Sequence, residues 1–208
     1  DAHALVVENP RLGADLISVY PPLSSSGREA DLLIRAFPSH SRLTGAAATL
    51  DAVNRELRRA DVFYFGGHAA SHSDDGAFLL APSSGSGSAL LNGASLEPGI
   101  HKCRLAILSA CSSAAGERMG PFNPASLIQA LWRAGVPTIV ATRWEVDELV
   151  TGFLVGSLLR ELLSGTPAPQ ALRIAMAEVR RNPGFEHPAV WAAFHVFGVS
   201  PDAQEEGV

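Results

Sequence analysis

Two side chains in this sequence have the type and setting for nucleophilic catalysis. Cys111 stands in the run LAILSACSS (105–113), and His68 stands at the end of DVFYFGGHA (61–69). An imidazole can take a thiol proton or stabilise an existing thiolate. The thiolate then attacks a carbonyl carbon while backbone N–H groups hold the developing oxyanion. Gly66, Gly67 and Ala69 flank the histidine, and Ala110 and Ser112 flank the cysteine. Such small neighbours let a substrate carbonyl approach the backbone. They nominate the N–H of Cys111 and that of Gly67 or Ala69 as an oxyanion hole. A third group is acidic: Glu145, Asp147 and Glu148 follow Trp144 in RWEVDE. As a substrate pocket, Trp144, Glu145 and Asp147 would attract a basic side chain. Asp147 equally reads as the start of a helix, where negative charge is favourable. Trp144 reads as pocket wall or as core.

These groups meet only if the right elements carry them. Residues 61–65, 104–109 and 136–141 are the three most apolar segments, each short and bounded by turn formers, as strands buried on both faces are. Laid parallel at the centre of one sheet, their carboxyl ends share an edge. That edge would carry His68, Cys111 and the 142–147 segment, where open α/β sheets place their chemistry. Around them, the pattern predicts a first strand over 4–8, ended by Asn9, Pro10 and Gly13, with an irregular stretch over 14–25. Helices are predicted from Ser26 or Gly27 to Phe37, over 50–60 capped by Thr49, over 124–134 closed by Gly135, over 146–163 and over 169–181. Leu127, Ile128, Leu131 and Trp132 form the expected buried face of the 124–134 helix. Residues 69–76, 82–87 and 112–123 read as glycine-containing loops, and 189–199 as containing a last strand, WAAFHVFG. Strands alternating with amphipathic helices predict a mostly parallel sheet with helices on both faces.

Bulk properties exclude several classes. With 208 residues and 47% apolar content, the chain can bury a real core in one domain. Its net charge of −5 is the wrong sign for a nucleic-acid binder. No apolar stretch reaches the ~18 residues of a membrane span, and no secretory signal opens the chain. Cys103 and Cys111, eight positions apart, are about 26 Å apart on an extended strand, too far to bridge. No CxxC pair suggests structural zinc. Free thiols fit a reducing, cytoplasmic setting. Cys103, at a strand start, reads as structural. His72 is expected at a rim and His195 on a sheet face. Asp74 and Asp75 are expected in a solvated turn.

FGGHA and ILSACSS, at the ends of two strands, resemble the caspase-like cysteine peptidases. With LVVENP, AGVPTIVATRWEVD and HPAVWAAFHVFG in this order, the chain resembles the CHAT domain over residues 5–199. CHAT domains are caspase-like domains often found beside tetratricopeptide repeats. The resemblance implies an α/β fold, a three-layer α/β/α sandwich around a mostly parallel caspase-like sheet. It also implies a single domain over 1–208, the C-terminal part of a longer protein that holds a tetratricopeptide-repeat or other sensor domain. Its chemistry would be that of a cysteine endopeptidase in a regulated proteolytic, defence or cell-death pathway. Cys111 would be nucleophile, His68 base and acid, a protein or peptide the substrate, and no cofactor would be needed. The segment from Cys111 to Asp147 also resembles the separases, where the aspartate matching Asp147 helps bind a basic residue before the cleaved bond. WEVD is one residue shorter than the separase form. A competing reading keeps the fold as a regulatory or scaffold module, whose Cys–His pair stays idle until a partner moves it. A nucleotide-binding hydrolase lacks support, because no GxGxxG follows the first strand.

Overall fold

The computed structural model describes residues 2–23, 26–72, 75–83, 89–97, 99–110, 125–144 and 146–198. Cys111, Glu145, Asp74 and the expected 112–123 loop lie outside the described residues. Nine strands and six helices are described: β1 (His3–Pro10), α1 (Ser26–Ala36), β2 (Ser39–Gly45), α2 (Leu50–Leu57), β3 (Val62–Gly67), β4 (Ala69–His72), β5 (Asp75–Leu80), β6 (Ala89–Leu91), β7 (Leu105–Ala110), α3 (Ala125–Arg133), β8 (Thr138–Thr142), α4 (Glu148–Leu163), α5 (Ala168–Arg180), α6 (Pro188–Trp191) and β9 (Phe194–Gly198).

The main sheet has the order β2-β1-β3-β7-β8-β9. Its first five strands are parallel, and β9 closes one edge antiparallel to β8. The three most apolar segments therefore lie side by side, as expected. Alternation along each strand divides two cores. Leu5, Val7, Phe63, Phe65, Ala106, Leu108, Ile139 and Ala141 face α2 and α3. Val6, Tyr64, Ile107 and Val140 face α1, α4 and α5. This is the three-layer α/β/α sandwich. Packing apolar residues on both faces makes β3, β7 and β8 read as continuous apolar runs.

Helix starts follow local chemistry. Thr49 is the N-cap of α2, its side chain accepting from the Ala52 N–H at 3.3 Å. Gly135, at φ 99°, ends α3 in the left-handed conformation that a side chain would oppose.

Several expectations are corrected. Residues 69–72 and 75–76 are not loop: β4 and β5 pair antiparallel, and β6 extends them into a second, three-stranded sheet. Short runs of alanine and serine carry little strand signal, so it is the pairing with β5, from Ala69–Phe78 to His72–Asp75, that defines β4. Trp132 is 60% exposed, not buried. Leu127, Ile128 and Leu131 fill the apolar stripe, and Trp132 lies a further 100° round the helix. The last strand is only Phe194–Gly198, because Pro188 starts a helical turn capped by the His187 ring. Helix α2 stops at Leu57.

Candidate active site

Chain order reverses between β1 and β3. From β1 the chain moves outward to β2, then crosses to β3 on the other side. Connections leaving the carboxyl ends of β1 and β3 diverge there and open a crevice. The segment after β1, residues 11–23, folds over that opening. It is tied by the Arg11 N–H to the Gly45 carbonyl and turns back on itself through Tyr20 N–H to Leu16 O.

Strand β3 ends in two glycines because its aromatic residues curl over them. A Cβ on Gly66 would lie 2.6 Å from the Tyr64 hydroxyl, and one on Gly67 would lie 2.7 Å from Cζ of Phe65. Both contacts are closer than atoms pack. Phe65 itself stacks on Phe78 of the second sheet, centroids 4.5 Å apart. His68 is thus the single residue between the two sheets. Its carbonyl accepts from the Leu79 N–H at 2.9 Å, so its backbone is held from both sides.

The His68 side chain is 3% exposed. Its Nε2 lies 2.7 Å from the Pro21 carbonyl oxygen, and the Tyr20 ring packs against it at 5.4 Å between centroids. A carbonyl only accepts, so Nε2 carries the hydrogen. In the neutral ring, the lone pair is then on Nδ1, which makes Nδ1 the basic nitrogen. Gly67 pairs with Ala110 across β3 and β7. One residue beyond Gly67 is His68; the residue that follows Ala110 in the chain is Cys111, outside the described residues.

Gly67 and Ala69, the oxyanion-hole candidates, are both buried beside His68, at the end of β3 and the start of β4. Trp144 leaves the end of β8, about 10 Å from β3 with β7 between them. It is 40% exposed, and its indole N–H donates to the Ala189 carbonyl at 2.9 Å. Its ring meets His195 edge-on at 6.4 Å. Trp144 is therefore exposed rather than core. Asp147 is exposed and is the N-cap of α4, its Oδ1 accepting from the Leu149 N–H at 2.8 Å. Both sequence readings of Asp147 stay compatible, since the cap engages one carboxylate oxygen. Glu145 lies outside the described residues, and Glu148 is the first residue of α4.

Pro21 and Tyr20 are missed by sequence reasoning, which leaves 14–25 irregular. Every residue has a carbonyl, so its use as a histidine acceptor has no residue-type signal. A cavity of about 280 Å³ lies beside them, walled by Asn9, Leu12, Ile17, Tyr20, Pro22 and His68 among others. Among the described residues, no three His, Cys, Asp or Glu side chains gather as a metal-ligand set. No described helix is long and apolar enough to cross a membrane. Cys103 is a buried free thiol, pushed up to about 12 by burial, which suits a structural role.

The CHAT domain family model matches residues 1–199. Tetratricopeptide repeat protein 28 of Mus musculus is 24% identical over 234 residues, covering 94% of this chain. The chain spans only 9% of that relative's length. Three solved structures share the fold. Separase, in the Saccharomyces cerevisiae separase–securin complex, aligns with TM-score 0.59 at 17% identity, over 96% of this chain and 12% of that one. The Drosophila initiator caspase Dronc aligns with TM-score 0.51 at 9% identity, over 95% and 79%. The Arg-specific cysteine proteinase gingipain R aligns with TM-score 0.56 at 14% identity, over 94% and 46%. The sheet is thus a caspase-like one.

Proposed function

We propose, for a chain that belongs to the CHAT domain family and has a caspase-like cysteine-peptidase fold, that it cleaves a protein or peptide substrate through Cys111 and His68. The observation that carries this reading is the setting of His68. It is buried at the carboxyl end of β3, with Nε2–H donated to the Pro21 carbonyl, which puts the lone pair of the neutral ring on Nδ1. Pairing of Gly67 with Ala110 supports the partnership, because Cys111 follows Ala110 directly.

In the proposed reaction, Nδ1 takes the Cys111 proton and the thiolate adds to the scissile carbonyl. The N–H of Cys111 and that of Gly67 or Ala69 receive the oxyanion. The imidazolium then returns its proton to the leaving amine. The resulting thioester is hydrolysed by water that His68 activates. No cofactor takes part. The acidic residues Asp147 and Glu145, next to Trp144 in the chain, would favour Arg or Lys before the cleaved bond. The likeness to an Arg-specific proteinase is in keeping with that choice. A tetratricopeptide-repeat segment of the same polypeptide would serve as sensor, in line with the repeat protein that the chain resembles. The thiol nucleophile suits a reducing, cytoplasmic compartment.

The test is turnover of a fluorogenic peptide ending in arginine, with an aspartate-terminated peptide as control. Cys111→Ala and His68→Ala should each lower kcat by about 10³-fold or more, with the native circular dichroism spectrum kept. Cleavage retained by Cys111→Ala overturns the assignment. Absence of cleavage by the unmodified chain, against a peptide library, would instead select the idle regulatory module.

A further inference from the structure

The structure assigns Asn9 a positioning role: its side-chain amide clamps the strap that fixes the His68 tautomer. This inference rests on the proposed His68–Cys111 chemistry for its kinetic consequence, though not for its spectroscopic one.

Along β1 and β2, Glu8 pairs with Thr44 and Pro10 with Gly45, so two steps on β1 match one on β2. Asn9 is the extra residue, a β-bulge, and bulges re-aim a side chain while bending the strand. Its φ is 41°, the only positive value at a non-glycine position among the described residues. Asn tolerates this left-handed conformation better than most residues, but it remains uncommon and costs free energy. Something must hold it there.

Two hydrogen bonds do. Asn9 Nδ2 donates to the Leu23 carbonyl at 3.1 Å, and Asn9 Oδ1 accepts from the Leu23 N–H at 3.2 Å. The side-chain amide therefore acts as one more rung of a ladder, using both its donor and its acceptor on one backbone unit. Leu23 ends the strap that starts at Arg11, whose N–H bonds Gly45. Two residues before Leu23 is Pro21, whose carbonyl receives Nε2–H of His68 at 2.7 Å. Three residues before it is Tyr20, packed on the same ring. Pro21 and Pro22 add no N–H groups with which the strap could anchor itself.

The chain of consequence is short. The bulge aims Asn9, Asn9 sets Leu23, Leu23 limits where the Pro21 carbonyl can lie, and that carbonyl keeps hydrogen on Nε2. Without the clamp, the carbonyl drifts and the ring samples the Nδ1–H tautomer. That tautomer has no lone pair toward a thiol that is to be deprotonated at Nδ1.

The variants are Asn9→Gly, which keeps the left-handed backbone and deletes the amide, and Asn9→Asp. The aspartate keeps the acceptor for the Leu23 N–H and loses the donor to its carbonyl. The first readout is the His68 tautomer, from long-range proton–nitrogen correlations of the ring in the full chain at a pH where it is neutral. The unmodified chain should show Nε2–H; Asn9→Gly should show a mixture, with Asn9→Asp between them. The second is turnover of the arginine-terminated peptide. Asn9→Gly should lower kcat by roughly 10- to 100-fold with KM within about twofold, and Asn9→Asp should recover part of the loss. A wild-type tautomer and kcat in Asn9→Gly overturn the inference, whatever happens to its melting temperature. If the unmodified chain cleaves no peptide, the proposed function falls, and the tautomer measurement alone still decides the clamp.

Discussion

Adding one methyl group to Gly67 tests whether the approach of β3 to its neighbours limits both stability and the site. The Cβ of Gly67→Ala would lie 2.7 Å from Cζ and 2.9 Å from Cε1 of Phe65, and 3.2 Å from Cδ of Pro10. The Phe65 ring has nowhere to swing. It is fully buried and rests on Phe78, which is buried too. Relief must come from backbone movement, and overpacking of this kind costs about 1–3 kcal/mol. At about 2–4 °C per kcal/mol for a chain of this size, Tm should fall by about 2–12 °C. His68 follows directly, so the same movement should tilt its ring relative to Pro21 and lower kcat more than it changes KM. Gly156→Ala in α4 is the control. Apart from its chain neighbours and the backbone of its own helix, no heavy atom lies within 4 Å of its added Cβ. Alanine gains about 0.5–1 kcal/mol over glycine inside a helix, so Tm should rise. Thermal unfolding by circular dichroism, with peptide turnover on the same samples, reads both variants. Equal melting temperatures for Gly67→Ala and the unmodified chain would refute the packing argument.

Other outcomes follow from single residues. Asp147→Asn keeps a capping oxygen for Leu149 N–H and deletes the charge, so Tm should hold while any arginine preference falls; a peptide-library profile with unchanged preference refutes the pocket role. Asp147→Ala should instead cost about 0.5–2 kcal/mol through the lost cap, read by urea unfolding. Iodoacetamide at pH 8 should label Cys111 and leave Cys103 untouched in the native chain, as read by mass spectrometry, because burial raises the Cys103 thiol to about 12 from 9.0. The same shift has a sign in stability. A folded value above the unfolded one gives a contribution fully present below pH 9.0 and lost as pH rises toward about 12. Cys103→Ala should flatten that alkaline limb of Tm against pH.

Much of the architecture was legible in the chain because burial on both faces leaves a mark in sequence. Runs such as VFYF and LAIL identify central strands, and Thr49 and Gly135 mark helix ends through chemistry confined to a few neighbouring residues. The histidine was legible for a similar reason, since two glycines at a strand exit are a local signal. The β4–β5 pairing was not, because alanine and serine have weak strand preference and only partners on the facing strand define them. Trp132 misled because helical periodicity does not say how wide the buried stripe is.

By itself, then, the sequence determined the fold class, the central strands and the residue types able to do thiol chemistry, all of which depend on side-chain identity at short range. Only the tertiary structure decided which nitrogen of His68 is basic. That depends on the Pro21 carbonyl, 47 positions away in the chain, and on an asparagine turned by a bulge to hold the strap that carries it. Backbone carbonyls and strand register have no residue-type signature, so their roles exist only once the chain has folded.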